Sequence, residues 1–188
     1  ADLASGLIDL QTAVSFEGMT YQQAGTRLGG IGDFNGDGYQ DFAIKAGSTW
    51  GSSTELGTLY IIHGQSGFAA INLLEDADVK IDSTTTGNEF ADQMLAVGDL
   101  NLDGYDDLLF SNPLSEYPLL ASNNNHGVVF GVYGGTYTGT FTTVERADFA
   151  LTGPDNWTNL GTNLVHAGDR DMDGLSDFWI SSRYGLYL

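Results

Sequence analysis

The chain has no cysteine among its 188 residues, so disulfides and thiolate metal sites are excluded. Cations are scarce too: 6 lysines and arginines stand against 25 aspartates and glutamates, a formal charge of −19. Such a surface repels nucleic acid and anionic membranes, so neither is an expected partner. Proline occurs only 3 times beside 26 glycines, which points to many tight turns rather than to disorder. No apolar run reaches the ~18 residues of a transmembrane helix. So few basic residues also leave little from which to build a catalytic cluster. His63, His126 and His166 sit in unrelated surroundings, and no His/Asp/Ser constellation can be assembled around them. An enzyme is not expected.

What the chain has in excess is aspartate, and it is patterned. "GDFNGDGYQDF" at 32–42 recurs as "GDLNLDGYDDL" at 98–108 and "GDRDMDGLSDF" at 168–178. The first aspartates, Asp33, Asp99 and Asp169, are 66 and 70 residues apart. Five residues before them stand Leu28, Met94 and Leu164, which should be core. After each loop comes an apolar triplet, and further on a glycine-led aromatic run such as "GTLYIIHG" from 57 or "GVVFGVYGG" from 127. These segments are short, rich in β-branched and aromatic residues, and bounded by Gly, Asn, Asp and Ser, so they read as strands. About four strands per repeat of this length fit a β-propeller blade. The expected fold is all-β, about three four-stranded antiparallel blades with the acidic loop between the first and second strands. The strand after the loop, apolar at consecutive positions, should be buried on both faces between neighbouring blades.

Residues 1–12 are expected to be the last strand of a preceding or completing blade. Repeats 1 and 2 then cover 13–76 and 77–146, and a truncated third covers 147–188. About three blades fall short of the roughly four to eight that close a propeller. The array is therefore expected to be incomplete unless joined to further blades or to other copies of the chain.

Numbered from the first aspartate, each loop offers hard oxygen donors at positions 1, 3, 5 and 9. These are Asp33, Asn35, Asp37 and Asp41; Asp99, Asn101, Asp103 and Asp107; and Asp169, Asp171, Asp173 and Asp177. Position 7, Tyr39, Tyr105 or Leu175, can supply its backbone carbonyl. Position 6 is glycine in all three, Gly38, Gly104 and Gly174, where a loop wrapping a cation turns sharply. Oxygen ligands without nitrogen or sulfur favour calcium, at about three ions per chain. A plain Asx-rich turn is the alternative for any single copy. An EF-hand is excluded, because position 12 holds Ile44, Phe110 or Ile180 rather than the bidentate glutamate. The third loop carries four carboxylates and the others three, so it should bind tightest.

The pattern resembles the FG-GAP repeat of integrin α-subunit propellers and of many bacterial surface proteins. The closest stretch is "EFADQMLAVGDLNLDGYDDLLFSNP" at 89–113, with degenerate Phe-Gly and Gly-Ala-Pro elements. The resemblance implies propeller blades with a structural calcium between the first two strands, and ligand binding on the opposite face. It implies a secreted or cell-surface protein serving adhesion, recognition or extracellular assembly, with a protein, a glycan or further copies of itself as partner. Two other readings stay open: a subunit of an extracellular filament or surface layer, and part of a secreted polysaccharide lyase or phospholipase. On the face away from the acidic loops, Trp50 and Tyr117 are the candidate ligand contacts.

Overall fold

A computed structural model describes residues 13–19, 22–47, 56–84, 89–115 and 124–188. After β1 (Ser15–Glu17), the first unit comprises β2 (Arg27–Gly32), β3 (Asp41–Gly47), β4 (Gly57–Ile62), β5 (Ile71–Leu73) and β6 (Val79–Asp82). The second comprises β7 (Met94–Gly98), β8 (Asp107–Asn112), β9 (Val128–Val132), β10 (Gly139–Thr142), the one-turn helix α1 (Thr143–Arg146) and β11 (Phe149–Thr152). The third has β12 (Asn163–Gly168), β13 (Asp177–Ser181) and β14 (Leu186–Tyr187). No helix among the described residues is long and apolar enough to cross a membrane.

Three antiparallel sheets result, ordered β2-β3-β4-β6, β7-β8-β9-β11 and β12-β13-β14. β2 packs beside β7, and β7 beside β12, so the first strands of the three units lie together. This is the arrangement of an incomplete β-propeller. Two elements depart from the four-strand expectation. β10 leaves its own unit and runs parallel to the outer strand of the preceding one, Gly139 opposite Val79 through Thr142 opposite Asp82. β5 pairs with β1 in the same way, from Ser15 opposite Ile71. Strands of three and four residues are too short for their pattern to specify a parallel partner.

The core lies between the sheets. Ile31, Leu59 and Ile81 of the first unit meet Phe90, Leu108 and Phe110 of the second. Val97, Leu109 and Val129 of the second meet Leu160, Leu164 and Ile180 of the third. Because successive strand residues point to opposite faces, Leu108 and Phe110 serve one interface and Leu109 the other, and every residue of β8 is buried. β13 has the same consecutive apolar pattern but is only half-buried, because its far face has no blade against it among the described residues. Leu28 differs from its counterparts for the same reason. Leu164 is buried and Met94 packs on the first interface, but Leu28 faces outward and is 75% exposed. That side of the first sheet is instead covered in part by Phe16 and Phe68, whose rings pack edge-to-face with each other and with Phe42.

Candidate metal centres

Each acidic loop closes a hairpin, and each hairpin slips register at its mouth. The slip falls between Gly30 and Gly32, Ala96 and Gly98, or His166 and Gly168. Gly32, Gly98 and Gly168 take φ of +81°, +72° and +71° there, which sets the first aspartate at the start of the loop.

From that point the three loops repeat one hydrogen-bond pattern. The position-1 carboxylate accepts from two backbone N–H groups with its two oxygens. Asp33 takes those of Asp37 and Gly38, both at 2.9 Å. Asp99 takes Asp103 and Gly104 at 3.0 and 2.7 Å, and Asp169 takes Asp173 and Gly174 at 3.1 and 3.0 Å. The position-3 oxygen of Asn35, Asn101 or Asp171 accepts from the N–H of position 5. The position-5 carboxylate of Asp37, Asp103 or Asp173 accepts from the N–H of Tyr39, Tyr105 or Leu175. The loop is thereby wound into a tight turn. Position-6 glycines have φ of +90°, +94° and +92°, with open space around the place a Cβ would take. Backbone conformation alone requires glycine there.

Position 9 behaves differently. Asp41 and Asp107 are each 1% exposed. Asp41 Oδ2 accepts from the N–H of Phe34 and Asn35, and its Oδ1 from Gly64, just beyond β4. Asp107 joins Leu100 and Gly134 in the same way, at 2.7 and 2.8 Å. Each thus ties its loop to the chain leaving the third strand. Burial pushes both carboxyls above the usual range, and the N–H donors pull partly against it. Asp37, fully in solvent, is held below it by the Asn35 amide and the Tyr39 N–H.

In the third loop, Asp169, Asp171 and Asp177 bring one carboxylate oxygen each within 4.8 Å of one another. In the first two loops position 3 is an amide, whose nitrogen donates to Asp37 at 2.9 Å and to Asp103 at 2.8 Å. Position 4 takes left-handed backbone throughout, as Gly36 (φ +75°), Leu102 (+61°) and Met172 (+63°). A branched or long side chain gains nothing there, since Leu102 and Met172 are 75% and 87% exposed. Replacing either by glycine should raise stability by about 0.5 kcal/mol, relief of left-handed strain less the extra entropy of unfolded glycine. Urea melts check it.

Sequence reasoning missed position 8. Asp106 accepts from the Asp33 N–H at 2.7 Å, and its own N–H donates to the Asp33 carbonyl at 3.1 Å. The Tyr105 ring lies against Gly36, where a Cβ would come within 2.7 Å of it. The Gly135 N–H donates to the Phe34 carbonyl at 2.7 Å. The second loop therefore locks onto the first. The corresponding residues Gln40 and Ser176 share no chemistry with Asp106, so repetition gave no signal. Gly134 sits in this junction, where a Cβ would meet the carbonyl oxygens of Asp106 at 2.4 Å and Phe34 at 2.7 Å. Gly134→Ala should cost about 2 kcal/mol, an overpacking penalty against backbone that cannot rotate away, measurable by thermal melting. Trp50 and Tyr117 lie outside the described residues.

Residues 24–62, the first acidic hairpin and the strand after it, match the FG-GAP repeat family. Integrin alpha-8 of Gallus gallus is 24% identical over 187 residues, 97% of this chain and 17% of that protein. Integrin alpha-8 of Homo sapiens is 25% identical over 182 residues, 95% of the chain and 17% of the protein. Integrin alpha pat-2 of Caenorhabditis briggsae is 28% identical over 157 residues, 81% and 12% respectively. The chain spans no more than 17% of the length of these relatives.

Proposed function

We propose that this FG-GAP, integrin α-like repeat chain is a calcium-stapled propeller segment of a secreted or cell-surface protein, and that it serves adhesion or recognition without catalysis. In the first site the ion would be held by Asp33, Asn35, Asp37 and Asp41 with the Tyr39 carbonyl. In the second it would be held by Asp99, Asn101, Asp103 and Asp107 with the Tyr105 carbonyl. Asp169, Asp171, Asp173 and Asp177 with the Leu175 carbonyl would hold the third. The observation that carries the reading is the gathering of Asp169, Asp171 and Asp177. Three carboxylates this close repel one another strongly unless a cation lies among them. The donor set contains only hard oxygens, which fits calcium. When bound, the ion supplies positive charge that fixes each hairpin; nothing in the loop is arranged to activate water or substrate.

Loops of this type bind at about 10⁻⁴ to 10⁻³ M in extracellular modules, an affinity that stays empty at cytosolic calcium levels. The third loop, with its extra carboxylate, should bind tightest, and a titration resolving the sites checks the order. The adhesion reading is tested by coating beads with the chain and measuring retention on extracellular-matrix proteins and glycans. Retention that is lost on chelation supports it. Retention indifferent to chelation, or none on the whole panel, contradicts it. A second reading, a subunit of an extracellular filament, draws on the uncovered sheet faces, where Leu28, Val165, Leu186 and Leu188 are all more than half exposed. Light scattering that grows with chain concentration would favour it.

A further inference from the structure

The connection from β9 to β11 is plugged by two side chains. Arg146 donates one terminal nitrogen to Asp148 Oδ2 at 2.9 Å and the other to the Tyr133 carbonyl, and its guanidinium lies 3.8 Å from the centre of the Tyr137 ring. The Tyr137 hydroxyl donates to the carbonyls of Tyr133 and Gly134. Asp148 is itself oriented by the Tyr133 N–H at 2.8 Å.

The first unit repeats this connection at equal length, residues 63–78 against 133–148, and keeps the acceptors while losing the plug. Asp78 takes the place of Asp148, and its Oδ2 accepts from the His63 N–H at 2.8 Å, as Asp148 does from Tyr133. Where the second unit has Tyr137 the first has Gly67, and where it has Arg146 the first has Asp76. Beside this connection lies a cavity of about 690 Å³ lined by Asp76, Asp78, His63 and Phe68 among others. On the far side of its ring His63 Nε2 is buried with no hydrogen-bond partner among the described residues, and its Nδ1 lies 3.7 Å from Asp78 Oδ1. A Cβ placed on Gly67 would meet nothing within 4 Å.

We propose that this cavity receives the guanidinium of an arginine side chain presented by a protein partner. Asp78 and the His63 carbonyl repeat the two acceptors that hold Arg146. Asp76 adds negative charge where the other unit carries its own cation. Phe16 and Phe68 on the cavity wall would cover the aliphatic stem. A fork with two nitrogens on separate acceptors selects guanidinium over ammonium. The site is distinct from the calcium positions, although Asn35 and Asp37 form part of its rim, and it stands without the adhesion reading.

The test is an amide-resolved NMR titration of the calcium-saturated chain with N-acetyl-arginine amide, with N-acetyl-lysine amide as comparator. Saturable shifts at His63, Gly64 and Asp78 are expected with Kd of about 1–10 mM, the range open to one charged, hydrogen-bonded group. The lysine probe should bind about threefold more weakly or worse. The double variant Gly67→Tyr with Asp76→Arg copies the second unit's plug; it should raise the melting temperature and abolish the shifts. Absence of saturable shifts, an equal response to lysine, or unchanged binding in the plugged variant would overturn the proposal.

Discussion

Chelating calcium should lower the melting temperature of this chain by roughly 10–30 °C. A site with Kd near 10⁻⁴ to 10⁻³ M, in about 10 mM calcium, stabilises the folded state by about 1.4–2.7 kcal/mol. About three such sites give roughly 4–8 kcal/mol, and a domain of this size shifts by about 2–4 °C per kcal/mol. The physical source is local. Without the ion, Asp169, Asp171 and Asp177 hold carboxylate oxygens within 4.8 Å of each other with nothing to balance them. Calorimetric scans in calcium and in chelator measure the difference. A shift under about 3 °C would mean that the loops are held by their own hydrogen bonds, since one occupied site alone is expected to exceed it.

Asp107→Ala, like Asp41→Ala at the matching position, should be among the most damaging single changes in the loops, at about 2–5 kcal/mol, and the loss should persist in chelator. Its carboxylate is 1% exposed and holds the N–H groups of Leu100 and Gly134. Removing it strands both donors in a buried place. Asp103→Ala, at an exposed position, should change ion-free stability by no more than about 0.5 kcal/mol while weakening calcium binding at that loop. Urea melts of both variants, with and without calcium, separate a buried framework carboxylate from an exposed one proposed to act mainly on the ion. The pH dependence has a definite sign. Burial raises the Asp107 carboxyl above its unfolded value, so the folded chain holds that proton more tightly than the unfolded chain. In the ion-free protein its contribution to stability is full below the unfolded value and is lost as pH rises through the raised one. Calcium competes with the same proton, so affinity should fall as pH drops through that range.

The repeat carried most of the fold because propeller units are alike by necessity: each must bury both faces of its second strand against its neighbours. That is why Leu108, Leu109 and Phe110 are all apolar, and why burial on both faces was legible from the residue pattern alone. The loop was legible for a similar reason, since left-handed backbone at Gly38, Gly104 and Gly174 admits little else. Unequal contributions were not legible. Asp41 and Asp107 read as ligands like any other aspartate, whereas the structure shows them binding the chain beyond the third strand. Asp106 looked like a spare acid beside Asp107, and its bond to Asp33 spans 73 residues of sequence. The pairing of β10 with β6 was hidden because it joins two units, whereas repetition reports only what happens within one. Leu28 shows the converse: its counterparts are packed, but pattern cannot tell which face lacks a neighbour.

The most direct measurement is a calorimetric titration of calcium into the ion-free chain, repeated on Asp33→Ala, Asp99→Ala and Asp169→Ala. The expected result is about three ions per chain, with one lost in each variant. No binding at millimolar calcium, or a stoichiometry that the variants leave unchanged, would contradict the assignment of the three acidic loops as calcium sites.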